Sequence, residues 1–358
     1  MSTMITDIDS LYYSAIDLLK EMIATPSLSR EEQHVADKIA TYMAKMGYEP
    51  NRKGNNLWIK SKGFDESKLT ILLNSHIDTV KPVAGWQRDP FAPLEEDDKL
   101  YGLGSNDAGA SLVSLLHVFF ILSERKQDYN LIFLASCEEE VSGKGGVELV
   151  LPDLPAIEFG IVGEPTGMNP AIAEKGLMVL DCTSHGKSGH AARNEGENAI
   201  YKAMKDIEWF RTFRFPKESD LLGAVKMTVT VIEAGTQHNV VPDKCTFAVD
   251  VRSNELYSNE ELFEIIDKHT LSEVSPRSFR LNSSRIALEN PFVQRAIMIG
   301  KEPYGSPTLS DQSLMPFPTV KMGPGDSARS HTADEYIRPE EIREAIELYV
   351  KLLDGLRI

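Results

Sequence analysis

The run Leu131-Ile132-Phe133-Leu134-Ala135-Ser136-Cys137-Glu138-Glu139-Glu140 decides the fold class. An apolar burst of strand length ends abruptly in three consecutive carboxylates, and a turn, Ser142-Gly143-Lys144-Gly145-Gly146, follows. Adjacent like charges repel, and a carboxylate in apolar surroundings is costly unless a cation compensates it. A strand this apolar belongs in the middle of a sheet. The acidic triplet then lies at its carboxyl end, where open α/β sheets bind ligands. A solvated acidic loop would give the same letters, so the rest of the chain has to arbitrate.

At 358 residues the chain is longer than a single core usually supports, and two domains are expected. Its 42% hydrophobic and 26% charged residues are ordinary for a soluble globular protein. A formal charge of −16 argues against nucleic acid, which needs a basic footprint, and against adhesion to an anionic membrane. No apolar run approaches a membrane span. The start, Met1-Ser2-Thr3-Met4-Ile5-Thr6-Asp7, lacks the basic and apolar stretches of a signal peptide, so a cytoplasmic protein is expected. Cys137, Cys182 and Cys245 are few, odd in number and widely spaced, which suits a reducing compartment and argues against a disulfide framework. Cys137 could be read as a nucleophile, but neighbouring carboxylates would raise its pKa, and a small buried hydrophobe fits better.

Around the central run, apolar periodicity predicts a helix carrying Leu11, Ala15, Leu18, Leu19, Met22 and Ile23, ended by Pro26. Ser29 and Glu32 form a capping-box pattern that predicts the start of a second helix with Val35, Ile39, Tyr42 and Met46, closed by Gly47. Strands are expected at Asn56 to Lys60, Leu69 to Ser75 and Phe159 to Gly163, with a long apolar helix from Ala108 to Ser123. That alternation predicts a layered α/β domain. From about Ile172 the texture changes. Strands at Leu177 to Thr183, Val225 to Ile232, Lys244 to Val251 and Ser278 to Leu281 interleave with helices at Asn198 to Phe213 and Asn259 to His269. The β-α-β-β-α-β order predicts a small α+β sandwich inserted into the larger domain. Helices from Pro291 to Ile299 and Pro339 to Leu356 then restore the first texture, giving domains of 1–171 with 285–358, and 172–284.

Several apolar segments end in residues that ligate metals. His76 lies just past a buried strand with Asp78 two residues on, so that both side chains of an extended chain point the same way. The aspartate can hold the second imidazole nitrogen, as at many metal sites; a turn histidine beside an Asx cap would look the same. Gly102-Leu103-Gly104-Ser105-Asn106-Asp107 precedes the apolar helix without GxGxxG spacing. Asp107 occupies the positive helix end that an anion would need, so a glycine loop bringing an aspartate to a cation fits better than a phosphate loop, with plain helix capping as the alternative. Glu164 follows the apolar Phe159 to Val162, and His331 lies in a polar loop before Asp334-Glu335-Tyr336. Two histidines and at least three carboxylates at the ends of apolar segments suit two divalent ions sharing a carboxylate, zinc above all.

The chain resembles the co-catalytic zinc amidohydrolases that include acetylornithine deacetylase, succinyl-diaminopimelate desuccinylase, aminoacylases and glutamate carboxypeptidases. The resemblance runs in order through Ser75-His76-Ile77-Asp78-Thr79-Val80, Gly102 to Asp107, the acidic triplet, Gly163-Glu164-Pro165-Thr166, Lys175-Gly176 leading to Gly189-His190, and His331 to Glu335. It implies an α/β fold: a zinc-peptidase-like mixed-sheet catalytic domain with an inserted two-layer α+β lid and dimerisation domain. His76 and Glu164 would bind one zinc, Glu140 and His331 the other, and Asp107 would bridge them, with cobalt or manganese as substitutes. Asp78 would support His76. Glu139 would be the general base, and His190 from the inserted domain would stabilise the oxyanion, although a polar turn residue after Gly189 reads the same. Asn239 and Arg252 resemble residues that hold a substrate carboxylate, a bidentate task suited to arginine.

Some positions depart from the pattern. Glu138 stands where relatives often carry aspartate, and the glycine-rich turn beyond aligns Glu139 as base and Glu140 as ligand. Ala108-Gly109-Ala110 stands where many relatives have a lysine and glycines, and Ala191-Ala192-Arg193-Asn194 stands in place of a more usual aromatic or proline continuation after His190. The resemblance is nearest to acetylornithine deacetylase, implying zinc-dependent deacylation of N-acetylornithine, N-acetylcitrulline or N-succinylornithine in arginine synthesis. A dipeptidase or carboxypeptidase, or a succinyl-diaminopimelate desuccinylase, is the alternative within the same chemistry. A metal-free binding protein on this fold would lack a ligand or the base, and none is lacking. A homodimer through the inserted domain is expected, with neither nucleic acid nor membrane as partner.

Overall fold

The computed structural model describes residues 8–358, and the chain divides into two compact units. One gathers the chain up to Ile172 with Ile286–Tyr304 and Ser310–Ile358; the other holds Ala173–Arg285 and Gly305–Leu309. The insertion therefore runs one residue later than the sequence suggests at each boundary. It also takes back a five-residue segment that no local texture marked.

The larger unit opens with α1 (Ile8–Ile23) and α2 (Gln33–Lys45). The capping box expected at Ser29 and Glu32 does not form: Glu32 is the N-cap residue and no side chain caps the helix. Both side chains are used elsewhere, as described below. The sheet follows with β1 (Asn56–Lys60) and β2 (Thr70–His76), then α3 (Ala110–Ser123), β3 (Asn130–Ser136) and β4 (Phe159–Val162). α3 starts two residues later than expected, because a wide turn, Ser105–Gly109, precedes it with non-helical backbone at Asp107 and Ala108. Every residue of α3 is buried, as its apolar character all round requires. Among the described residues, Ser105–Ser123 is the one helical stretch long and apolar enough to cross a membrane, and 94% of its apolar window is buried inside the fold. It is a core helix, packed against the sheet, α1 and the C-terminal helix.

The inserted unit contains β5 (Met178–His185), α4 (Ala199–Thr212), β6 (Lys226–Ala234), β7 (Lys244–Arg252), α5 (Asn259–His269) and β8 (Glu273–Pro276). Its antiparallel sheet has the order β6-β7-β5-β8, as the β-α-β-β-α-β pattern implies. Met178, Leu180 and Cys182 of β5 alternate with more exposed residues and pack with Phe247, Val249, Val251, Phe210 and Leu262. The last strand is Glu273–Pro276 rather than Ser278 to Leu281; of the latter only Leu281 pairs, in an isolated bridge with Leu177. Ser258 and Glu261 do form a reciprocal capping box on α5.

The chain then returns through α6 (Pro291–Met298), β9 (Thr319–Lys321) and α7 (Pro339–Leu353). The mixed sheet of the larger unit runs β1-β3-β2-β4-β9, with β3, β2, β4 and β9 mutually parallel. β1 joins β3 antiparallel. Leu57, Ile71, Leu73, Leu131, Phe133 and Phe159 face one apolar cluster, and Trp58, Leu72, Ile132, Leu134 and Val162 face another. Parallel strands covered on both faces in this way are apolar throughout. The register pairs His76 with Ser136 and Asn74 with Val162. Residues that follow these strands therefore emerge at one level of one edge, the carboxyl edge.

Candidate metal centre

Six side chains converge beyond that edge. His76 ends β2 and is 2% exposed. Its Nε2 lies 3.2 Å from Asp107 Oδ1 and 3.7 Å from Glu164 Oε1. On the other side His331 Nε2 lies 3.0 Å from Glu140 Oε2 and 3.6 Å from Asp107 Oδ2. The ligand atoms fall into three groups with internal separations below 4.8 Å: His76, Asp107 and Glu164; His76, Glu139 and Glu140; Asp107, Glu140 and His331. Asp107 belongs to two of them, one oxygen towards each histidine.

The glycines around these groups set how closely they approach. Gly163 donates to the Asn74 carbonyl at 2.7 Å, and a Cβ there would stand 2.7 Å from Leu115 Cδ1 and 2.9 Å from Ser111 Cβ. Only a hydrogen fits between β4's end and α3, and this contact brings Glu164 level with His76. Glu138, by contrast, turns away from the centre. Its carboxylate fills the space over Gly143 and Gly145, where any Cβ would collide with it. Glu138 and His331 both take left-handed backbone, φ 56° and 57°, a conformation rare outside glycine and common at functional loops.

A layer of hydrogen bonds holds this arrangement from behind. Asp78 accepts from Ser29 Oγ at 2.7 Å and from the backbone N–H groups of Glu139 at 3.0 Å and Glu140 at 3.2 Å. Its carboxylate therefore fixes the acidic triplet. The second nitrogen of His76 lies 2.9 Å from the Asp78 carbonyl oxygen and 3.5 Å from its carboxylate, so the backbone is the nearer partner. Glu32, fully buried, accepts from the N–H groups of Arg30 at 2.5 Å and Glu138 at 3.2 Å, and from Asn55 Nδ2 at 2.9 Å. Asn56 accepts from Cys137 N at 3.0 Å and donates to Gly145 O at 2.7 Å. Glu335, 2% exposed, accepts from the backbone of the loop that carries Asp107. Ser29 and Glu32 were legible only as a helix cap, because S-x-x-E suits either role. Glu335 had one signal: it follows His331 by four residues and directly precedes the short strand Tyr336–Ile337.

The electrostatics are those of a site short of positive charge. Burial, with Glu164, Asp311 and Glu140 nearby, pushes the Glu139 carboxyl well above its ordinary value, although His76 opposes this. Burial, with Asp107 and Glu140 nearby, does the same to Glu164, opposed by His76 and Lys321. The hydrogen bond to Glu140 raises the His331 imidazole to about 9, and burial together with Asp107 lifts Glu335 to about 8. For His76 burial alone would lower the value, but Asp107, Asp78 and Glu164 outweigh it and leave it raised. Protons are being recruited to neutralise crowded carboxylates. Divalent cations would replace those protons, and a set of two imidazoles and several carboxylates matches the donors zinc takes. Cys137 is no rival: it is buried, its Sγ donates to Gly145 O at 3.3 Å, and burial pushes its thiol far up.

Three other candidate residues belong to the inserted unit. His190 pairs in register with Val240, and the Ala191 N–H donates to the Asn239 carbonyl at 3.0 Å, so His190 and Asn239 lie on adjacent segments. The His190 ring is exposed and its Nδ1 accepts from Ala192 N at 3.1 Å. The Arg252 guanidinium is occupied by Asp250, through Nε at 2.8 Å and Nη2 at 3.0 Å.

A family model described as peptidase family M20/M25/M40 matches residues 72–355, from β2 through α7. The chain belongs to the M20/M25/M40 peptidase family. Like other M20 hydrolases it is a metal-dependent amidohydrolase. The chain is 27% identical to a putative succinyl-diaminopimelate desuccinylase of Mycobacterium tuberculosis, over 95% of this chain and 98% of that one. It is 26% identical to an acetylornithine deacetylase of Proteus mirabilis, over 95% and 96% respectively. A dinuclear metal-binding M20 peptidase of Bacillus subtilis shares the fold with a TM-score of 0.72 at 16% identity, over 96% of this chain and 98% of that one.

Proposed function

We propose that this M20 chain hydrolyses the amide bond of an N-acyl amino acid in the cytoplasm, with N-acetylornithine, N-acetylcitrulline or N-succinylornithine as substrate in arginine synthesis. The observation that carries the reading is Asp107 directing one oxygen to each of two histidine groups, the donor geometry of an ion pair sharing a carboxylate. His76 and Glu164 would hold one zinc and Glu140 and His331 the other, with cobalt or manganese as replacements. Bound there, the ions would polarise the scissile carbonyl and acidify the attacking water. Glu139, held by its backbone on Asp78, would take the proton of the attacking water and pass it to the departing amine. His190 donates to the oxyanion, and Asn239 with Arg252 receives the substrate carboxylate, which exchanges with Asp250 on the guanidinium.

The desuccinylase named among the relatives supports a second reading, with a succinylated diamino acid as substrate. The two are separated by incubating zinc-loaded protein with a panel of N-acetyl and N-succinyl amino acids and dipeptides and measuring released amine. Turnover of dipeptides alone, or of succinyl-diaminopimelate far above every N-acylornithine, would overturn the deacetylase reading. The proposed dimer surface is β6, the edge strand of the inserted sheet, where Val231 and Ile232 are about half exposed; Tyr201 and Met204 of α4 in the same unit are exposed too. An unpaired apolar edge of this kind is normally covered. Light scattering showing a monomer at micromolar concentration would refute that surface.

A further inference from the structure

Glu335 is a buried carboxylate with no role in the chemistry above, and its partners are backbone amides rather than a base. Its Oε1 accepts from the N–H groups of Asn106 at 2.8 Å and Asp107 at 2.9 Å, and its Oε2 from Gly104 at 3.2 Å. Its own carbonyl accepts from Gly102 N at 3.0 Å. One residue thus holds four amides of the glycine loop that presents Asp107. The same two segments are tied again through Asn106, whose amide donates to the Asp326 carbonyl at 3.1 Å and Ser330 Oγ at 3.3 Å and accepts from Asp326 N at 3.1 Å. His331 sits between these anchors. The backbone at Asp107 and Ala108 is not helical, so these two residues do not draw on α3's ladder, and the Asp107 N–H is held by Glu335. Burying a carboxylate costs several kcal/mol unless strong hydrogen bonds answer it, so three amides on one carboxylate are a built feature rather than packing.

We propose that Glu335 is a positioning residue that aims the two oxygens of Asp107, so that the affinities of both ion sites depend on it. The inference rests on the dinuclear reading of the centre. A ligand to a single ion would affect one site; a residue that aims the shared carboxylate affects two. Partners of this kind behind a metal ligand are worth roughly 10- to 100-fold in metal affinity.

The test is zinc titration of metal-free protein by calorimetry, with wild type, Glu335→Gln, Glu335→Asp, His331→Ala and Asp107→Asn compared. Glu335→Gln keeps shape but turns a donor towards one amide, and it is expected to weaken both zinc steps about 10- to 100-fold. Glu335→Asp keeps the charge but withdraws the carboxylate by one methylene, and should fall between. His331→Ala should lose one step and leave the other within about threefold, setting the single-site pattern against which the others are read. Both steps unchanged in a folded Glu335→Gln protein, or only one weakened as in His331→Ala, would overturn the proposal. Amide hydrogen exchange on metal-free wild type needs no variant: slow exchange at Asn106 and Asp107, comparable to β2, is expected. Exchange as fast as in exposed loops would refute the pre-set loop. Two undisturbed zinc steps in both His331→Ala and Asp107→Asn would instead remove the dinuclear reading on which the inference stands.

Discussion

Three adjacent carboxylates with three different surroundings make the acidic triplet a sharp test. Glu139→Gln preserves the backbone bond to Asp78 and the shape of the side chain, and removes only the ability to take a proton. Neither histidine lies within ion-pair distance of Glu139, whereas Glu140 is 3.0 Å from His331. Metal content should therefore stay at two ions per chain while turnover collapses. A positioned general base contributes about 100- to 10,000-fold, which corresponds to ~3–5 kcal/mol in the barrier. Glu140→Gln should lose one ion, since it removes a charged donor from the Asp107, Glu140 and His331 group. Glu138→Gln should leave turnover within a few-fold and act on stability instead, because that carboxylate is packed over Gly143 and Gly145 and accepts from Gly145 N at 3.4 Å. The assay pairs initial rates of amine release with elemental analysis of dialysed protein. A Glu139→Gln protein with two ions and turnover within tenfold of wild type would refute the assignment of the base. Collapse of turnover in Glu138→Gln with both ions kept, together with loss of an ion from Glu139→Gln, would show that the register had been read one residue too late.

Zinc uptake should release protons, because the His331 imidazole stands near 9 in the metal-free protein and must be neutral to ligate; affinity then rises with pH up to about that value. Calorimetry in buffers of different ionisation enthalpy measures the release, and none at pH 7 would contradict the electrostatics. His117 is fully buried in α3, with Nδ1 donating to Val113 O at 2.7 Å and Nε2 accepting from Tyr42 at 2.7 Å, and burial lowers it from 6.5 to about 4. A depressed folded-state pKa leaves stability complete above pH 6.5 and erodes it down to pH 4. The slope is about 1.4 kcal/mol per unit, or ~3 kcal/mol in all. Urea titrations of wild type against His117→Gln should show that slope only in wild type, and parallel curves would refute it. Gly163→Ala should cost ~1–3 kcal/mol by overpacking against Leu115 and Ser111. It should also weaken zinc binding by displacing Glu164. Unaltered binding would mean that Glu164 is placed by something other than this contact.

Much of the fold was written in local pattern. Alternation in β5, the unbroken apolar runs of β2 and β3, and the uniformly apolar α3 each state how many faces an element buries, which is a property of a dozen residues. The ends of those runs announced His76, the acidic triplet and Glu164, since a charged residue directly after a buried strand has only the sheet's edge to occupy. What sequence could not say was which distant loops would meet there. S-x-x-E at Ser29 and Glu32 satisfies a helix cap as well as it does Asp78 and Glu138, and no local energy separates the two. Only the folded chain, by bringing Ser29 and Asp78, 49 positions apart, to hydrogen-bond distance, chose. Glu335 is the same case: its three amide partners lie more than 220 residues away, and a carboxylate's preference for amides becomes a position only after tertiary packing has excluded water from both.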